Sequence, residues 1–148
     1  MSLVRLSIPV GMLVENVLTS GVASEVIIDC LHRRDLASLR STIKEPAMDL
    51  EERLKTAEEM GEDWAEAIRS GYQFKFLHIN ALKRVLDFRF GLKLDRDYVQ
   101  EDLTLRNIKL NCEQIQLLRS LLDRQWSVIE DEGHEEGLIP VDIKLKYQ

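Results

Sequence analysis

The chain has 148 residues, 45% of them hydrophobic and 31% charged, with a formal charge of −6. That length fits a single domain, and that balance excludes both a charge-dominated disordered chain and a fibrous repeat. The acidic sign disfavours general attraction to nucleic acid or anionic membrane unless a local basic patch reverses it, and no apolar run approaches the roughly 18 to 20 residues of a spanning helix.

Residues 3–20 carry Leu, Val, Ile and Met without a clean period, and Pro9 and Gly11 interrupt them, so a short extended start and a short helix are expected. From Val22 to about His32, Ile27, Ile28 and Leu31 share a helical face; Asp35 then caps a second series carrying Leu36, Leu39 and Ile43. Pro46 ends it. The clearest helix runs from 50 to 70: Asp49 and Glu52 stand at capping-box spacing, Leu50, Leu54, Ala57, Trp64 and Ile68 form a narrow stripe, and Gly71 follows as a stop. Gly61 occupies the missing core position, where another backbone is expected to approach closely. The other face is acidic, with Glu51, Glu52, Glu58, Glu59, Glu62, Asp63 and Glu66.

Tyr72 to Leu77 reads as a short strand or an aromatic turn, and Ile79 to Phe90 as a helix ended by Gly91. Between Arg69 and Arg96 seven basic residues face two acidic ones, so charge is segregated along the sequence. Leu103 to Leu110 alternates like a strand, with a phase slip near Asn107 of the kind a bulge produces. Asn111 with Gln114 opens a helix over 112–124 whose face holds Ile115, Leu118, Leu121 and Leu122. Trp126 to Ile129 is a short strand, Glu130 to Gly137 an acidic loop, and 139–147 a strictly alternating strand whose Pro140 and lysines suit a sheet edge.

The fold class is therefore α+β in a single domain over 1–148: a helical part to about residue 91, packed on a small C-terminal sheet of three strands over 103–147. Strand 103–110, its helix and strand 126–130 fit a crossover unit, and two antiparallel strands flanking the helix fit nearly as well. Trp64 and Leu118 are core positions.

Motifs that carry chemistry are scarce. The seven glycines are scattered and form no GxGxxG, GxxxxGK[ST] or GxSxG pattern. Cys30 and Cys112 lie 82 positions apart and read as buried, reduced thiols of a cytoplasmic protein. Cys30 and His32 are two apart on a helix, pointing about 200° from each other, so they do not converge on one substrate. Around Gly133, Glu130, Asp131, Glu132, His134, Glu135 and Glu136 are dense but lack the EF-hand alternation, and read as a solvated turn. No catalytic, cofactor or metal residue is assigned.

The stretch from Tyr72 to Lys93 remains. On helix 79–90, Leu82, Leu86 and Phe90 define one face, whereas Lys83, Arg84 and Arg89 scatter, which disfavours base readout in a groove. Phe88 lies opposite the helix's own core face. Exposed aromatics rimmed by Arg and Lys have the composition of binding hot spots. The expected function is a non-enzymatic protein-interaction or regulatory protein binding a protein partner through Tyr72, Phe74, Phe76, Lys83, Arg84, Phe88, Arg89 and Lys93. The alternatives are a nucleic-acid-binding regulator using segment 69–96 and a small enzyme without a recognisable motif. No membrane partner is expected. The narrow seam of helix 50–70 and the edge-like final strand both suggest a homodimer.

Overall fold

The computed structural model describes residues 4–122, 125–131 and 137–146. Two compact units divide it, Met1–Lys75 and Phe76–Gln148.

In the first unit β1 (Val4–Leu6) leads into α1 (Ile8–Leu18), followed by α2 (Ser24–Arg33), α3 (Leu36–Arg40), α4 (Leu50–Met60), α5 (Trp64–Ser70) and β2 (Tyr72–Phe74). α1 is apolar nearly all round, so it is the central helix: Val10, Met12, Leu13, Val14 and Val17 are all buried, and α4 and α5 pack against it. The strands at the two ends of the unit pair in parallel, Val4 beside Tyr72 and Leu6 beside Phe74. Gly11 makes room for this junction, because a Cβ there would collide with the ring of Phe74.

The continuous helix expected over 50–70 is two helices. Gly61 adopts φ +66° as the C-cap of α4, and the Glu62 N–H closes back on the Ala57 carbonyl at 2.9 Å. Asp63 then caps α5 by accepting from the Glu66 N–H. Gly61 is thus a left-handed stop rather than a point of close approach, and a Cβ there would meet nothing within 4 Å. Stop and restart were both written in Gly61, Asp63 and Glu66, but the stripe running from Leu54 to Ile68 concealed them.

The second unit opens with α6 (Ile79–Phe90), capped by His78, whose Nδ1 accepts the Ala81 N–H at 3.0 Å, and ended by Gly91. β3 (Val99–Glu101), β4 (Thr104–Leu110), α7 (Cys112–Leu122), β5 (Trp126–Glu130) and β6 (Ile139–Leu145) complete it. α6 thus belongs with the C-terminal sheet. Asn111 and Gln114 bond reciprocally at the start of α7, as their spacing predicts.

The sheet has four strands, not three, in the order β3-β4-β6-β5, and the β1–β2 pair is a separate sheet. β3 escaped the sequence reading because three residues show no periodicity. All neighbours are antiparallel, so β4 and β5 run parallel with β6 between them, and α7 is the crossover joining them. The final strand is therefore inner, not an edge. Pro140 is tolerated near its start opposite Lys109, and its carbonyl accepts from the Asp131 N–H. Lys144 is exposed. Residues 123–124, most of the acidic loop (Glu132 to Glu136) and Tyr147 lie outside the described residues.

Trp64 is 6% exposed, with the His32 ring 4.7 Å from its own, and Leu118 is fully buried. Trp64→Ala and Leu118→Ala should each cost about 2 to 5 kcal/mol in chemical denaturation. A loss below about 0.5 kcal/mol would place that face in solvent.

Candidate functional site

The stretch from Tyr72 to Lys93 spans the boundary between the two units, and Tyr72, Phe74 and Phe88 in it are buried. Tyr72 and Phe74 lie in the first unit, fully buried, with ring centroids 5.1 Å apart; the Tyr72 hydroxyl donates to Oε2 of buried Glu15 at 2.7 Å. Their alternation reflects a strand buried on both faces. In the second unit Phe88 is 8% exposed, not displayed, and the Arg84 guanidinium lies 5.4 Å from its ring centroid. Only Phe76, at 57% exposure, is the projecting aromatic that the sequence suggested. Lys83 donates to Gln100, Arg89 is half-buried, and Lys93 pairs with Asp87 at 2.6 Å.

The basic surplus of segment 69–96 is likewise distributed. Arg69 pairs with Glu25, Lys75 with Glu62 and Arg96 with Asp97, all within 3 Å. Glu62, expected on the acidic face of the 50–70 segment, is buried: Oε1 accepts both the Ser7 N–H and its hydroxyl, and Oε2 accepts from Lys75. A carboxylate with three donors ties the β1–α1 junction, the α4–α5 linker and the end of β2 together. Tyr98, 3% exposed, sits among acidic neighbours; burial first, then Asp87, Asp97 and Asp95, push its phenol up to about 12.

Cys30 is buried as expected, whereas Cys112 is exposed at the first position of α7, because helix 112–122 turns Ile115 and Leu118, not Cys112, to the core. Among the described residues no group of three or more His, Cys, Asp or Glu converges as a metal site. No helix among them is long and apolar enough to cross a membrane.

Among the described residues, exposed apolar and charged side chains come together on the outer face of the four-stranded sheet. Leu105, Ile108, Val128, Val141 and Ile143 are buried on the inner face. On the outer one, one transverse row crosses all four strands. Val99 stands beside Arg106, Arg106 Nη1 donates to Asp142 Oδ2 at 3.0 Å, and Asp142 stands beside Ile129. The row reads apolar, cation, anion, apolar, with Val99 45% and Ile129 41% exposed. Arg106 also donates to Glu101 at 2.7 Å, and Glu101 first, then Asp142, hold its pKa above the ordinary value. A shallow depression of about 500 Å³ lined by Glu101, Asp102, Leu103, Thr104, Arg106 and Leu145 adjoins it.

A bulge makes the row. Between Leu105 and Ile108 the register shifts, so Arg106 and Asn107 both oppose Asp142, and Asn107 takes φ +66°. The Asn107 N–H, without a ladder partner, donates to Asp142 Oδ1 at 3.1 Å. The phase slip was legible in the sequence, but that Asp142 serves it from a strand 35 residues away was not. Comparison with known proteins finds no matching family model, no matching curated protein and no matching solved structure.

Replacing Asp142 by Ala should accelerate amide exchange at Asn107, whereas Arg106→Ala should leave it near the wild-type rate; equal rates in all three would remove Asp142 from the bulge. A second expectation follows from Tyr98. Its native phenol holds the proton more tightly than the unfolded one (ordinary value 10.0), so its contribution to stability is whole below pH 10 and is lost as pH rises to about 12. Alkaline titration of phenolate absorbance should show a late step that Tyr98→Phe removes.

Proposed function

We propose that the chain is a non-enzymatic protein-interaction module whose recognition surface is the outer face of the C-terminal sheet. The row Val99, Arg106, Asp142 and Ile129 is the observation that carries the reading. A monomer gains nothing by exposing two β-branched apolar side chains at either end of an ordered ion pair. A partner gains apolar burial at both ends and a charge pattern that fixes its register. The matching partner presents two apolar groups flanking an acid and a base in the reverse order.

This reading keeps the class expected from sequence and moves the surface away from Tyr72 to Lys93, because Tyr72, Phe74 and Phe88 are core residues. Binding of nucleic acid through 69–96 has less support: Arg69, Lys75, Lys93 and Arg96 already have carboxylate partners, which phosphate would have to displace.

A photo-crosslinking residue at position 129, expressed in the native host, should yield higher-mass adducts, and the same residue at exposed position 116 on α7 should not. No adduct at 129, or equal yields at both positions, overturns the reading.

A further inference from the structure

We infer that the partner of this face is a second copy of the chain, docked sheet against sheet about a two-fold axis parallel to the strands. The inference rests on the reading of the outer face as an interaction surface. Its argument is the self-complementarity of the row. A two-fold axis parallel to the strands and passing between β4 and β6 reverses the row left to right. Val99 of one copy then meets Ile129 of the other, and Arg106 meets Asp142, each contact occurring twice. The two Arg106–Asp142 pairs close into a square of alternating sign. Lys144, exposed on β6 one residue beyond Ile143, comes over the other copy's Thr104–Glu101 pair, which flanks the row.

The alternative axis, along the row, places Arg106 over Arg106 and Asp142 over Asp142, and like charges face to face are disfavoured. The row therefore selects one geometry among those that sheet packing allows, with the strands of the two copies roughly aligned. It also selects against an unrelated flat apolar partner, which would strand the central ion pair without a counterpart.

Size sets the strength. Four strands about 4.8 Å apart and up to seven residues long present a flat area on the order of 400 Å² per copy, about half that of a standard stable interface. Each copy also carries −6, which opposes association at low ionic strength. The dimer is accordingly weak, forming over tens to hundreds of micromolar at about 0.15 M salt.

Sedimentation equilibrium of the full chain at that salt should show the mass rising from 17.2 kDa towards twice that value with concentration. Val99→Glu and Ile129→Arg, both at exposed positions, should each hold the protein at monomer mass while circular dichroism stays unchanged. The geometry is then tested by recombination. Mixing the two variants sets the introduced carboxylate at position 99 over the introduced guanidinium at position 129 at one end, and leaves Ile129 over Val99 at the other, so a mixed dimer should form. The double variant V99E/I129R should dimerise with itself. A wild type that stays at 17.2 kDa to about 500 µM overturns the dimer, as do single variants that still dimerise or a mixture and double variant that stay monomeric. A monomeric wild type combined with a crosslink from position 129 to a different protein overturns the dimer alone; a monomer with no crosslink overturns the interaction surface as well.

Discussion

The outer face of the C-terminal sheet depends on one carboxylate. Asp142 spends one oxygen on the Asn107 N–H that the bulge removes from the ladder, and the other on the Arg106 guanidinium. A bulge without a clamp lets a strand slip register. Because the side-chain period of a strand is two, a slip of one residue in β4 would turn Arg106 inward and Leu105 outward. By holding the bulge, Asp142 fixes which residues face out, and the same contact positions the central cation of the row.

The topology explains why that face is open. β6 is inserted between β4 and β5, and the crossover helix α7 joins those two strands, lying against β5. The inner residues of three strands, Leu105, Ile108, Val128, Val141 and Ile143, are all buried, so the hydrophobic requirement of the sheet is met on one side. An antiparallel sheet tolerates water on its second face when that face is polar, as Thr104, Arg106, Lys109, Asp142 and Lys144 make it. Val99 and Ile129 depart from that rule, and they stand at opposite ends of the same row.

Much of this was legible in the sequence, and the failures share a cause. Helix ends marked by local chemistry were readable: Asn111 with Gln114, Gly91 and Asp49 act as their spacing says, as does the slip at Asn107. Misreadings arose where a residue's role is set by a distant segment. Pro140 and the lysines resemble an edge strand because edges and open faces are both wet; only the pairing of β6 with β4 and β5 separates the two. Glu62 resembles its exposed acidic neighbours, yet Ser7, 55 residues earlier, draws it inside. Tyr72, Phe74 and Phe88 have the composition of a hot spot, and composition does not distinguish a displayed ring from a core one. Val99 and Ile129 carried no signal at all, since their juxtaposition exists only across four strands.

The edges of the sheet give a separate reason to look to its face for recognition. Among the described residues β5 has a β partner on one side only, and an exposed strand edge ordinarily invites another strand. Here Arg119 reaches from α7 to the Val128 carbonyl at 2.9 Å and to Glu130 at 3.1 Å, so a bulky cation lies along that strand. At the opposite edge β3 is three residues long, with a turn at Asp102 in a positive-φ conformation closing it. A strand adding at β5 would have to displace a charged side chain from its carboxylate, and one adding at β3 would gain at most a few hydrogen bonds. Both edges therefore resist extension. The face resists nothing: its ion pair is already ordered and its two apolar ends are already in water, so contact with a surface of matching pattern removes apolar area without unpairing a charge.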